Sequence, residues 1–494
     1  MGSPVRAGGN SDAVALLFIA VGASVLGVAA VRFSPLLAIA AVGGGGAATL
    51  ILARPFLGLV LFAFVASFLP FTQIAERIPL TLCESVLLLT WLSVLPRIAV
   101  GSLRLHLGAT ERAVLVLVGY SIIPLLLGIA LIPYGKLGAV RWSRWIVNIS
   151  PLFLVGCLVQ GPRDLTVVIR ACIAGAMATL LLSIGSFIRH WDARDILPIL
   201  ATLHYPQEYR SAMSETFGIV HRISSPWIHA NMLGGFLTLI LPPSMIYFLK
   251  AREPWRMIML VFLSLALVAL LLSISRAAIL GLGFVALYFI RWRVPLAVPA
   301  TVLGLVCVVL IVIFYPPVQE RFTALLSKER TPSGFVMSSG QTRLEEYKAF
   351  PRAVAQFPFG VGFATDPTAI VEHYPGLRQI SNLWLNYWYK LGLPGMLLFL
   401  WVSLRWWREA KPPQRFAGNS NPALRLYQVG LVGGLIGTFV IGFLDHYFSF
   451  QWVLVAMFWM FIGLSLIPPR DIAENCEFLQ GNRRNKKYRT YAKI

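Results

Sequence analysis

Long apolar runs, each near the length that crosses a bilayer, recur along the chain with short polar interruptions. A hydrocarbon layer about 30 Å thick takes roughly 20 residues of helix. By that measure the pattern predicts spans at 13–31, 35–53, 55–71, 80–96, 112–133, 145–160, 165–188, 229–249, 257–274, 277–290, 295–315, 383–403, 426–444 and 447–467. Closely spaced pairs such as 35–53 and 55–71 are open to merging, so the expectation is an all-α, polytopic membrane protein of about 12–14 transmembrane helices. The run at 13–31 reads as a retained helix rather than a cleavable signal, because only Arg6 precedes it and a second run follows at once. Two long segments interrupt the alternation, 189–228 and 316–382. The second places Leu344, Tyr347, Phe350, Val354 and Phe357 at steps of three and four, predicting an amphipathic helix over 342–357 that lies on the membrane or closes over a cavity.

Composition agrees with the pattern. Hydrophobic residues make up 57% and charged residues only 13%, which excludes a soluble globular protein. The 42 Lys and Arg exceed the 21 Asp and Glu to give a net charge of +21, and their placement decides what that surplus means. With the N-terminus cytoplasmic, the short inner segments hold Arg6, Arg54, Arg97, Arg104, Arg112, Arg163, Lys250, Arg252, Arg256, Arg291, Arg293, Arg405, Arg408, Lys411, Arg415 and Arg425. The short outer loops hold only Arg32, Arg77, Lys136, Arg141, Arg144 and Arg276. The asymmetry predicts both termini in the cytoplasm and both long segments outside. The basic surplus is then mostly topological and does not imply nucleic acid. Arg483, Arg484, Lys486, Lys487 and Arg489 in the tail either touch anionic headgroups or stay solvated.

The expected organisation is N-terminal helices over 1–188, an outer loop at 189–228, central helices over 229–315, a large periplasmic cap at 316–382, C-terminal helices over 383–467 and a basic cytoplasmic tail at 468–494. Five cysteines, mostly within apolar runs, read as small core residues rather than disulfides or metal ligands.

Three constellations carry candidate chemistry. Arg276, in SISRAAILG between two apolar helices, suits an anionic headgroup because its planar fork donates to phosphate oxygens in pairs; the plainer reading is a snorkelling arginine in a tight turn. His221-Arg222 and the following ISSPWIHAN place Arg222 beside a helix start, with His229 and Asn231 at its mouth, and the two arginines together make a candidate diphosphate site. The alternative for His229 is a hydrogen-bonded interfacial histidine. In the cap, SGQTRLEEY supplies Arg343, FPFGVGF supplies a glycine turn, and Glu372-His373 form a neighbouring carboxylate and imidazole, able to act as a general base or simply solvated. The glycines of FPFGVGF lack the strand and the GK[ST] of a phosphate loop and read as a tight turn beneath the cap. No HExxH, DxD, GxSxG or HxH occurs, so neither a metal nor another cofactor is expected.

In order and sidedness these segments resemble the O-antigen ligase and polysaccharide polymerase superfamily of membrane glycosyltransferases of the C-type. The resemblance covers roughly residues 210–400: RISSPWIHANMLGGF is similar to its Arg-bearing loop before a helix, SISRAAILG to its Ser-Arg turn, SGQTRLEEY with FPFGVGF to the start of its large periplasmic loop, and SNLWLNYWYKLGLPG to the segment entering the next helix. It implies a bacterial inner-membrane enzyme of surface polysaccharide assembly, exopolysaccharide or O-antigen. Such an enzyme transfers glycan from undecaprenyl diphosphate to an acceptor hydroxyl at the periplasmic face without a metal. Arg222, Arg276 and Arg343 would hold the diphosphate, and Asn382 would lie near the site with His229 and Asn231. Implied partners are the polyprenyl-diphosphate-linked glycan, the bilayer and other polysaccharide-assembly proteins. One departure bears on the chemistry. Ligase members begin the last motif with His followed by Asn, Ser or Gln, then nine residues and Gly-x-x-Gly, whereas this chain has Ser381-Asn382 before Gly392 and Gly395 in that frame. A serine takes up no proton near neutral pH, so the resemblance points to a polymerase or exopolysaccharide member, and His373 or Glu372 is the base candidate. A transporter of small anions, for which Glu84, Arg170 and Lys390 are the intramembrane ionisable residues, and a polysaccharide-export scaffold are the competing classes.

Overall fold

The computed structural model describes residues 35–75, 78–131, 136–188, 229–295, 339–363, 380–411, 422–450 and 453–467, with short pieces at 201, 204–205, 223–224, 226–227, 298, 304, 329–331 and 334–336. The chain is an all-α, polytopic membrane protein. In order, its helices are α1 (Pro35–Ala53), α2 (Pro55–Phe68), α3 (Leu82–Ala99), α4 (Ala109–Tyr120), α5 (Ile122–Leu131), α6 (Lys136–Ile149), α7 (Pro151–Leu158) and α8 (Pro162–Ile188). There follow α9 (Ala230–Lys250), α10 (Trp255–Ser273), α11 (Arg276–Arg291), α12 (Ser339–Gln356), α13 (Leu383–Ala410), α14 (Pro422–Gly442), α15 (Tyr447–Phe450) and α16 (Val453–Ile467). Two antiparallel two-stranded ribbons, Gln73–Ala75 with Ile78–Thr81 and Glu329–Thr331 with Gly334–Val336, are the strands among the described residues.

Among the described residues, five helices are long and apolar enough to cross a membrane, Leu82–Ala99, Ala109–Leu131, Pro162–Ile188, Ala230–Lys250 and Trp255–Ser273, with shorter apolar helices beside them. Every sequence-predicted span coincides with helix except 13–31, which lies outside the described residues, and 295–315, of which only residues 295, 298 and 304 are described. Differences arise where the backbone interrupts an apolar run. Span 112–133 divides at Ser121 into α4 and α5, and span 145–160 becomes the two helices α6 and α7 with Pro151 opening the second. Span 383–403 runs on to Ala410 and bends at Gly392, whose φ of 72° and ψ of 174° break the helix internally.

The helices are sorted inside-out relative to a soluble protein. Leu88, Leu92 and Leu95 on α3, Leu280, Phe284 and Leu287 on α11, and Leu397, Leu400 and Leu404 on α13 form exposed apolar stripes at helical spacing. In water such stripes would drive aggregation; in hydrocarbon they are the proper exterior of helices whose backbone bonds are satisfied internally. α16 is buried along its whole length, apolar on every side, as a central helix should be. Phe399, Phe439 and Phe448 lie against its Phe458 and Trp459, and Trp406 donates to Ser465 Oγ at 2.8 Å.

Small residues let α9, α11 and α14 approach backbone to backbone. A β-carbon on Gly437 would stand 2.6 Å from Thr238 Cγ2, and one on Gly281 would stand 2.9 Å from the Gly437 carbonyl oxygen. Close packing of this kind substitutes for the hydrophobic effect that lipid does not supply.

Two of the ionisable groups outside the candidate site make structural contacts between helices, Glu84 buried and Arg170 exposed. Glu84, at the third position of α3, closes a capping box with Thr81 and accepts from Arg144 Nε and Nη2, both at 2.9 Å, and from Asn148 at 3.0 Å. Arg170 donates to the Tyr247 hydroxyl at 2.7 Å and lies over the Tyr247 and Trp255 rings. These pairings tie α3 to α6 and α8 to α9 and α10, a structural use of the ionisable groups that a transporter would need to move. Cys83, Cys157 and Cys172 are free and buried.

Candidate functional site

The site gathers at one end of the bundle, where α9, α11 and α13 begin and where the 443–447 turn joins α14 to α15. Three of these starts are set by local chemistry. His229 caps α9 by accepting the Asn231 N–H on Nδ1 at 3.2 Å. Asn382 caps α13, its Oδ1 accepting from Trp384 N at 2.9 Å and Leu385 N at 3.0 Å, while its Nδ2 donates to the Phe443 carbonyl at 3.0 Å. α10 ends on Ile274 in the left-handed region, φ 50°, and the chain reverses so that Arg276 becomes the first residue of α11. Ser275, at the cap position of α11, makes no side-chain cap bond.

α12, the amphipathic helix expected from the periodicity, supplies the roof. Phe350 and Ala353 are buried with Val361, Ile380 and Tyr389, and Phe357 packs against them, whereas Leu344 and Tyr347 remain exposed. The helix therefore rests on the start of α13. It is fastened beneath by the glycine turn of FPFGVGF. Val361 N donates to Tyr389 O at 3.0 Å and Gly362 N to Lys390 O at 2.8 Å, so this turn lies along the bend of α13. Gly360 (φ 88°) and Gly392 (φ 72°) meet there, and a β-carbon on Gly392 would stand 2.6 Å from the Phe359 carbonyl carbon. The glycines serve the close contact of two backbones.

On this frame α12 brings Arg343 and Glu346 to the helix starts. Arg343 Nη2 reaches Asp445 Oδ2 at 3.3 Å, and the positive charge of Arg343 acts on Arg276 at the start of α11. Burial first, and then that like charge, pull the Arg276 guanidinium below its ordinary value. Glu346 is 2% exposed and accepts the Ser381 N–H at 2.7 Å. Burial lifts its carboxyl above the usual range, against the opposing effects of Ser381 and of the charges of His446 and Arg343. Tyr347 donates to Ser381 O at 3.3 Å. In the 443–447 turn, Asp445 Oδ1 accepts the His446 N–H at 2.9 Å and lies 3.3 Å from His446 Nδ1, and the Tyr447 hydroxyl stands 3.5 Å from His229 Nδ1.

Of the sequence-predicted residues, Arg276, Arg343, His229, Asn231 and Asn382 thus fall within one connected region. Arg222, Glu372 and His373 lie outside the described residues; Ile223, next to Arg222 in sequence, donates to Leu272 O at 3.4 Å near the end of α10. Sequence reasoning missed Glu346, Asp445 and His446. A signal for the last two was available, since they are ionisable residues in the two-residue gap between spans 426–444 and 447–467, which the charge asymmetry assigns to the same face as Arg276.

Residues 259–400 match the family model described as O-Antigen ligase. Over this stretch the chain is similar to an O-antigen ligase domain. The stretch runs from α10 into α13 and contains Arg276, Arg343, Glu346, Ser381 and the paired glycines 360 and 392, while His229, Asp445 and His446 join the site from outside it. With the apolar helices, the match supports a multi-pass membrane protein of the glycan-transferring ligase or polymerase type. No curated protein matches the chain.

Proposed function

We propose that the protein transfers glycan from a polyprenyl-diphosphate-linked donor to an acceptor hydroxyl at the periplasmic face of the bacterial inner membrane, during assembly of a surface polysaccharide. The observation that carries the reading is that α11 begins on Arg276 within electrostatic reach of Arg343, which Asp445 holds at the site. Arg276 occupies the first position of α11, where the helix dipole is already positive, and it feels a second guanidinium. Cations so arranged repel, and an anion between them relieves the repulsion while taking up the N–H groups of the first turn. Diphosphate has the charge and the oxygen geometry for two planar guanidinium forks.

A lipid-linked donor already carries an activated anomeric carbon, and what the enzyme must add is stabilisation of the departing diphosphate and alignment of the acceptor. Arg276 and Arg343, with Arg222 as a third candidate, supply the first, and α12 lies where it can cover the second. No metal is required for this chemistry. The Ser381 in place of the ligase histidine favours a polymerase or exopolysaccharide-assembly member.

The test is R276A in the full-length protein, reconstituted with undecaprenyl-diphosphate-linked glycan extracted from the source cells. Parent protein lengthens the glycan without added nucleotide or divalent cation; R276A lowers the rate by about 100-fold or more, as loss of a leaving-group donor does elsewhere, at normal protein abundance. Polymer of unchanged length from R276A returns the argument to a transporter.

A further inference from the structure

Resting on the glycan-transfer reading, we propose that His446 accepts the proton of the attacking hydroxyl, with Asp445 holding its ring and Glu346 placed against the charge it gains. Removal of that proton needs a group that titrates near neutrality, and Ser381 supplies none. The structure brings an imidazole to the same place by another route. Ser381 N–H is bound to Glu346, Glu346 lies within the electrostatic reach of His446, and His446 stands beside Asp445, which in turn pairs with Arg343. The connection runs from the proposed diphosphate clamp to the imidazole through one carboxylate.

Burial makes the arrangement costly unless it is used. Glu346, Asp445 and His446 are 2%, 3% and 5% exposed, and three ionisable groups removed from water where α12 meets one turn are expected at sites that move protons. His446 Nδ1 faces Asp445 Oδ1 at 3.3 Å but lacks the geometry of a hydrogen bond, and among the described residues no other group completes one for it. Catalytic bonds of this sort commonly tighten only when substrate is in place. With Nδ1 turned to Asp445, Nε2 is the nitrogen assigned to the acceptor.

The groups around His446 are Glu346 from α12 and Asp445 and Tyr447 from its own turn, with Arg343 paired to Asp445 and with Arg276 and His229 one step further out. In the transfer step the acceptor O–H bond breaks and its proton passes to His446 Nε2. The freed lone pair bonds to the anomeric carbon, and the bond from that carbon to the diphosphate oxygen breaks. Its electron pair leaves on the diphosphate facing Arg276 and Arg343. The imidazolium then returns its proton to water.

The experiment uses full-length protein in nanodiscs, with undecaprenyl diphosphate as the binding probe and the extracted lipid-linked glycan as the transfer substrate. H446Q should bind undecaprenyl diphosphate as the parent does and transfer about 10²–10⁴-fold more slowly, the range for removal of a general base; added imidazole should restore part of the activity of H446A. H446Q transferring within about threefold of the parent overturns the assignment while leaving the glycan-transfer reading intact. A parent protein that neither binds the probe nor lengthens glycan overturns that reading instead. Should H446Q fail to fold, E346Q decides: it keeps an acceptor for Ser381 N–H but removes the charge, and it should slow transfer by about tenfold or more with probe binding retained. An E346Q rate equal to the parent's overturns the proposal.

Discussion

Glu346 shows what the site asks of a single residue. Its carboxyl is held above the ordinary range chiefly by burial, so the folded protein binds its proton more tightly than the unfolded chain does. Where the folded state holds more protons, stability falls as pH rises, and the loss accrues from the unfolded carboxylate range up through the raised folded value. E346Q removes the ionisation and retains an oxygen for Ser381 N–H. Its thermal midpoint should therefore exceed the parent's at pH 8, and the advantage should shrink to nothing toward pH 4, as followed by tryptophan fluorescence in detergent. A variant that gains stability while losing transfer would identify Glu346 as a functional carboxylate rather than a packing one. Arg276 was legible in the sequence because it interrupts an apolar run, and Arg343 because it lies in a motif with a familiar order. Glu346 was not, since it is one of two adjacent glutamates in a polar segment, and only the folding of α12 onto α13 selects it by burying its side chain against Ser381.

Elements were read more reliably than the breaks between them. An apolar run of membrane length forces a helix because hydrocarbon offers no other partner for backbone N–H and C=O groups, so most predicted spans coincide with helices. The same runs conceal their interruptions, because Ser121 and Pro151 hardly alter hydropathy yet divide the backbone. Asn382 and Gly392 show how two breaks act in α13. Asn382 satisfies two first-turn N–H groups and bridges to Phe443 O, so N382A should lower the thermal midpoint by an amount corresponding to about 1 kcal/mol for the lost cap. Gly392 has a backbone conformation essentially reserved for glycine and also touches Phe359. G392A should cost about 1–3 kcal/mol in backbone strain alone and more from the clash, giving the larger drop of the two in the same melt. It should also reduce transfer, because it lifts the 358–362 turn that fastens α12 over the site. Comparable midpoints for the two variants would mean that the turn is not held by this contact.

At the scale of the whole molecule, the site has meaning only if it faces the compartment where lipid-linked glycan is presented. The distribution of Lys and Arg makes that argument: the short segments on one side are rich in them, and the few on the other include Arg144, buried against Glu84, and Arg276, at the proposed site. Positive charge retained in the cytoplasm fixes orientation through loops near the helix ends. The exposed Leu344 on α12 and the exposed Val100 after α3 should then lie on opposite faces. Cysteine introduced at each position provides the check, since the described native cysteines are buried. L344C should react with a membrane-impermeant maleimide in spheroplasts, and V100C only after permeabilisation, with the parent chain as background. Reaction of V100C from outside, with L344C protected, would put Arg276, Arg343 and His446 in the cytoplasm. The acceptor and the lipid-linked donor would then have to meet there, and the enzyme would act before the glycan crosses the membrane rather than after it. The opposite result joins the charge asymmetry to the chemistry: the same rule that keeps arginines inside leaves the few outer ones as exceptions, and an exception beside a second arginine and a buried imidazole is where a departing diphosphate is best received.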